Sequence, residues 1–140
     1  LGLHWPIDVI GGMVIAFIIV FIAYRSFRNN SKWFLVLLTI LIFTPLIFIY
    51  QDSEFVSAYA LLVGFSLGMA FESHYINFEM TKHLGKNMLR ILIGLIGIIM
   101  LKEGLKWILP DHLFSDFIRY SLIAFYGIGL MPYIIKKLKL

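Results

Sequence analysis

The chain has 140 residues, of which 61% are hydrophobic and only 14% charged, with a mean hydropathy of +0.91. A soluble domain carries roughly 45–50% apolar and about 25% charged residues, and a chain this short has too little interior to hide such a surplus. A water-soluble fold is excluded, and hydrocarbon is the expected solvent for most side chains. Cysteine is absent, which removes disulfides, thiolate metal sites and thiol nucleophiles together. The head Leu1-Gly2-Leu3 has no initiator Met, basic n-region or small-residue cleavage site, so it does not resemble a signal peptide. The expectation is a piece of a longer protein.

Five apolar runs follow in chain order, approximately Pro6–Tyr24, Trp33–Tyr50, Phe55–Phe71, Met88–Ile108 and Leu113–Ile135. Each approaches the ~20 residues a helix needs to cross about 30 Å of hydrocarbon at 1.5 Å per residue. The predicted fold is all-α: a polytopic membrane protein with about five transmembrane helices. Lys102, Glu103 and Lys106 interrupt the fourth run, and its edge is the softest together with that of the short third run. Pro45 and Pro132 lie inside apolar runs, where a missing N–H bends a helix unless neighbours satisfy the freed carbonyl. Short connections make consecutive helices antiparallel neighbours. No long linker, low-complexity stretch or internal repeat interrupts this pattern.

Alternating the sides of the runs puts nine basic residues on one face: Arg25, Arg28, Lys32, Lys82, Lys86, Arg90, Lys136, Lys137 and Lys139. The other face receives Lys102, Lys106 and Arg119. The richer face is expected to be cytoplasmic, with the C-terminus on it and residues 1–8 on the external side of the cell membrane. Anchoring to anionic lipid accounts for the net charge of +4, so membrane lipids are the expected partners and no nucleic acid is needed. Gly64 and Gly68 stand one turn apart, a spacing that lets two membrane helices approach closely, and Gly94 and Gly97 invite the same role. The oligomeric state is not encoded in any recognisable pattern.

Chemistry concentrates at the head, Leu1-Gly2-Leu3-His4-Trp5-Pro6-Ile7-Asp8-Val9-Ile10-Gly11-Gly12. Pro6 suits the first turn of a helix. That start puts His4 and Asp8 on one face four residues apart. A carboxylate bonded to one imidazole nitrogen leaves the other free as base or nucleophile. Trp5 favours the membrane interface, and a helix N-terminus there favours an anion such as phosphate. Spacing alone is equally served by a structural hydrogen bond or a helix cap.

The string Leu1, Gly2, His4, Trp5, Pro6, Asp8, Val9 and Gly12 resembles the third signature motif of the type 2 phosphatidic acid phosphatase (PAP2) and vanadium haloperoxidase superfamily, Ser-Arg-x5-His-x3-Asp. The resemblance implies a catalytic His4 that attacks phosphorus to form a phosphohistidine, an Asp8 that orients it, and no cofactor or metal. The Ser-Arg pair of that motif would fall ahead of Leu1. The family's other two motifs, Lys-x6-Arg-Pro and Pro-Ser-Gly-His, occur nowhere in the chain. Phosphoryl transfer needs charge stabilisation and leaving-group protonation besides a nucleophile, so the isolated chain is expected to be inactive. Residues 1–25 are then the end of a phosphatase domain and 26–140 a four-helix membrane extension.

Further along, Gly64, Gly68 and Glu72 with Tyr75 and Phe78, and Arg119-Tyr120 with Gly127, Gly129, Leu130 and Pro132, resemble the C-terminal extension of some bacterial members. Glu72 is expected to be an interfacial charge, solvated or paired with Lys82 or Lys86. His74, Glu79 and His83 make a weak metal set without supporting shell. His112 is expected in an external loop. Lys102 and Lys106 are expected to snorkel to headgroups, and Arg119 to do the same or to bind lipid phosphate. The expected activity of the full-length protein is hydrolysis of a lipid phosphate: phosphatidate, phosphatidylglycerophosphate or a polyprenyl pyrophosphate. The competing reading is a non-catalytic membrane protein, such as a small transporter subunit or assembly factor, in which His4 and Asp8 are structural.

Overall fold

The computed structural model describes residues 6–29, 32–79 and 82–138, with the side chains of the first helix described only in part. Each of the five apolar runs becomes helix, and no strand occurs among the described residues. The helices are α1 (Pro6–Asn29), α2 (Lys32–Ile47), α3 (Ser53–Phe71), α4 (Leu84–Ile108), α5 (Leu113–Phe125) and α6 (Met131–Lys137). Two π-helical segments, Glu72–Ile76 and Tyr126–Leu130, prolong α3 and join α5 to α6. Among the described residues three helices are long and apolar enough to cross a membrane: Ser53–Ile76, Leu84–Ile108 and Leu113–Lys137. At 16 residues α2 is shorter, and Val9–Ile18 forms a shorter apolar stretch within α1.

The chain divides into two units between Ser31 and Lys32. The first contains α1, on which Ile7, Met13 and Phe17 are each about 70% exposed (74%, 69% and 73%). Such a helix, apolar on all sides, is suited to lipid or to other helices rather than to water.

The second unit is organised around α3. Val56, Tyr59, Ala60, Val63, Gly64, Ser66, Gly68 and Ala70 are buried along it. On one side α2 runs antiparallel, buries Leu35, Val36 and Thr39, and shares a 2.7 Å hydrogen bond between Thr44 Oγ1 and the Tyr59 hydroxyl. An interhelical bond of this type adds about 0.6 kcal/mol on average in a membrane. On the other side α5 runs parallel to α3, since Ser53 meets Asp116 near their starts while Gly68 meets Gly129 further along. The ring of Tyr59 joins both neighbours, 6.1 Å from Phe43 on α2 and 5.5 Å from Phe117 on α5.

Glycine makes the α3–α5 approach possible. A Cβ on Gly64 would overlap the carbonyl oxygen of Ser121 and lie 2.9 Å from Ala124 Cβ. One turn on, a Cβ at Gly68 would lie 3.0 Å from Ile128 Cβ and 3.2 Å from the Gly129 nitrogen. The expected small-residue packing is therefore present, and Gly97 repeats it on α4, where any Cβ would overlap the Tyr126 hydroxyl. That hydroxyl donates to the Ile93 carbonyl at 3.3 Å. Beyond this contact α4 is peripheral, with Gly94 its single buried residue among those described.

Proline marks two departures from regular helix. Pro45 lies two residues before the end of α2, where Phe48 N–H turns back to the Pro45 carbonyl at 3.3 Å. Pro132 stands two residues after the end of the second π segment. Widening that turn keeps the helix continuous where the proline ring has no N–H to donate, a recognised use of a π-bulge. The fourth helix continues through Lys102, Glu103 and Lys106, all exposed, because long stems carry the charges outward without breaking the backbone ladder.

Gly64→Ala is expected to lower stability by about 1–3 kcal/mol through overpacking against a backbone carbonyl. Gly104→Ala on α4, where a Cβ meets nothing within 4 Å, should be neutral or gain up to about 1 kcal/mol of helix propensity. Thermal unfolding of the two variants in micelles, followed by circular dichroism, checks the contrast.

Candidate functional site

His4 lies outside the described residues. Asp8 falls in the first turn of α1, but its side chain is likewise outside what the structure describes. The described polar chemistry gathers at the two ends of the second unit.

At the end formed by the α2–α3 and α4–α5 connections, Asp52 caps α3 by accepting from Phe55 N–H at 2.7 Å. Ser53 Oγ donates to Asp116 Oδ2 at 3.1 Å, and the other oxygen, Oδ1, takes Arg119 Nη1 at 3.2 Å. Asp116 and Arg119 share one face of α5 because they are three residues apart. Arg119 is only 8% exposed, so it does not snorkel to the surface as expected from its position near the helix start. Its Nε and Nη2 are buried without a hydrogen-bond partner among the described residues. His112 sits just outside, at the N-cap of α5, where its carbonyl accepts from Asp116 N–H at 3.0 Å. The cluster joins the Ser53 hydroxyl, the Asp116 carboxylate and the Arg119 guanidinium across α3 and α5.

The opposite end, where α3 turns toward α4 and α6 finishes, is tied differently. Glu72 closes the turn with two acceptors: its backbone carbonyl takes Asn77 N–H at 2.9 Å and its Oε1 takes Phe78 N–H at 2.8 Å. Asn77 is left-handed at φ 47°, a conformation asparagine tolerates better than most residues. Glu72 is thus a backbone cap, a role not included in the expectation of an interfacial charge, solvated or paired with Lys82 or Lys86. The Arg90 guanidinium stacks 4.8 Å over the Phe78 ring, and Lys136 Nζ donates to the Ile76 carbonyl. His74 packs edge-on against Tyr75 at 4.7 Å. Among the described residues no group of three or more His, Asp or Glu is placed to hold a metal ion, so His74, Glu79 and His83 are not brought together.

Sequence reasoning singled out Arg119 but missed its partners Asp116 and Ser53. The i, i+3 spacing of Asp116 was a readable signal; the contact with Ser53, 63 residues away, had none.

These features define an all-helical, polytopic membrane protein whose second unit is held by small-residue packing. Residues 56–140 match the family model described as PAP2 superfamily phosphatase, transmembrane extension, and the chain belongs to that family. The matched span contains both the Gly64–Phe78 and the Arg119–Pro132 patterns and begins well after the His4–Asp8 string. No curated protein and no solved structure matches the chain.

Asp116→Ala is expected to destabilise the protein by about 2–4 kcal/mol, because it strands a largely buried guanidinium; the lower part of that span allows for the partial exposure of the pair. Asp111→Ala, at an exposed loop position, should change stability by less than about 0.5 kcal/mol. Denaturant titration of both variants in the same micelles measures the difference.

Proposed function

We propose that this protein works as a membrane lipid phosphatase. In this reading His4 attacks the phosphorus of a lipid phosphate, a P–N bond forms as the ester P–O bond breaks, and water then releases phosphate from the phosphohistidine. Asp8 accepts from the second imidazole nitrogen and holds the ring in the reactive tautomer. The groups that cradle phosphate and protonate the leaving alcohol come from sequence outside these 140 residues. Residues 1–25 close the phosphatase domain and 26–140 form its membrane extension. The substrate is a phosphatidate, a phosphatidylglycerophosphate or a polyprenyl pyrophosphate.

The observation that carries the reading is the family match over residues 56–140, joined to the independent Leu1–Gly12 string ahead of it. Either alone is weaker: the first lies in the extension, and the second is short. The basic asymmetry supports a site at the external face, with Lys136 and Lys137 on the cytoplasmic side.

Expressed together with the coding sequence ahead of Leu1, the protein is expected to release phosphate from phosphatidate. His4→Ala should lower this rate at least about 10³-fold and Asp8→Asn about 10²-fold, judged against typical losses of such groups. The 140-residue chain alone should release none above blank. Undiminished turnover in His4→Ala sinks the mechanism and returns the chain to a non-catalytic membrane role.

Sidedness is tested separately. The chain has no cysteine, so single replacements at His4 and Lys137 report cleanly. An impermeant maleimide added to intact cells should modify the cysteine at position 4 and not that at 137; the reverse pattern overturns the external placement.

A further inference from the structure

One face of α4 meets its neighbours through Gly94 and Gly97, and another is bare. Met88, Leu92, Leu95, Ile99, Lys102 and Lys106 follow one another at alternating intervals of four and three residues, so at 3.6 residues per turn they stack into one stripe. The four apolar members are each more than half exposed (64%, 56%, 55% and 59%), and both lysines are exposed. The stripe belongs to a helix long and apolar enough to cross a membrane, Leu84–Ile108, so its surroundings are lipid. Trp107, 90% exposed beside Lys106, suits the headgroup interface and marks the level of the lysines.

Lys102 and Lys106 are one turn apart, a spacing that brings Cβ atoms within about 5–6 Å and makes like charges repel. Neither has a hydrogen bond or ion pair among the described residues, and Glu103, three residues before Lys106, does not close on it. The pair therefore lacks an anion. Two adjacent ammonium groups match a phosphomonoester, which carries about −1.5 to −2 charge at pH 7 and three acceptor oxygens. A phosphodiester, with a single charge, would leave one lysine uncompensated. From Lys102 inward to Leu92 the stripe runs about 15 Å at 1.5 Å per residue, half of the ~30 Å hydrocarbon core and so the depth of one leaflet. We propose that this face of α4 binds a lipid phosphomonoester, its phosphate between Lys102 and Lys106 and one acyl chain along Ile99, Leu95 and Leu92. Snorkelling is satisfied by any headgroup; here the charges are matched, and head and tail meet contiguous parts of one helix face. The proposal rests on charge and register and stands independently of the catalytic role given to His4.

Binding is measured on the full 140-residue chain in phosphatidylcholine nanodiscs by native mass spectrometry, with phosphatidate, phosphatidylglycerol or diacylglycerol of identical chains at equal mole fraction. All samples carry His4→Ala, so that the proposed nucleophile cannot consume the probe. Phosphatidate should be retained several-fold over phosphatidylglycerol and at least about tenfold over diacylglycerol. Lys102→Gln and Lys106→Gln should each cut phosphatidate retention about fivefold, the effect of one cation near a lipid surface, whereas Glu103→Gln, which removes a neighbouring negative charge, should raise it. Lys137→Gln on α6 should leave it unchanged, and the helical circular dichroism of every variant should match the parent. Equal retention of phosphatidate and diacylglycerol, or retention unaltered in both Lys102→Gln and Lys106→Gln, overturns the site. An equal loss in Lys137→Gln overturns it too, since any surface cation would then serve. Phosphatidylglycerol held as tightly as phosphatidate overturns the monoester assignment, and displacement of phosphatidate by millimolar inorganic phosphate overturns the lipid one.

Discussion

The contact of Gly64 with the Ser121 carbonyl sets the distance between α3 and α5, and most of the second unit follows from that distance. Lipid tails are as apolar as leucine, so a membrane helix gains little by hiding leucine from them and must instead gain by close packing. With Gly64 and Gly68 facing Ser121, Ala124 and Gly129, two backbones come near enough for dispersion and weak polar contacts to accumulate. The same parallel pairing brings Ser53 beside Asp116 and leaves Tyr59 sandwiched between Phe43 and Phe117. A side chain at Gly64 would separate the helices and dissolve all three arrangements together.

Among the described residues several polar side chains are turned back onto the backbone. Ser66, Ser73 and Ser121 each return their hydroxyl to a carbonyl three residues back on the chain. Glu72 spends its carboxylate on the turn after α3, and Lys136 reaches the Ile76 carbonyl beside it. Arg119 departs from this economy. Its charge is matched by Asp116, yet two of its donors are buried and idle, which sets it apart from the structural polar residues around it. The π segments follow a similar division. The one before Pro132 accommodates a residue with no N–H, and the one after Phe71 passes into the left-handed turn at Asn77.

Much of the architecture was legible from residue patterns because the hydrocarbon thickness imposes a length on every span and forces the backbone into helix. The five runs, the packing role of Gly64, Gly68 and Gly97, and the family character of residues 56–140 all belong to that legible part. The edges were less so: α4 begins at Leu84 rather than Met88, and α3 continues through a π turn to Ile76, because the final turns are decided by caps and contacts rather than by hydropathy. The Arg119 site was half visible. Its cation and the Asp116 three residues before it are local, whereas its burial and the contact with Ser53 depend on which helices meet.

Sequence alone determined that the protein is helical, polytopic and membrane-bound, that its basic residues divide nine to three, and that its head carries a His-x3-Asp string resembling a phosphatase motif. Those properties depend on composition, period and spacing, which are local. Tertiary structure decided that α5 lies parallel against α3, that the Glu72 carboxylate caps the turn after α3, and that Arg119 is enclosed with one edge of its guanidinium without a partner among the described residues. Each of these depends on residues tens of positions apart sharing one small volume, and no periodicity along the chain encodes which distant helix will occupy it.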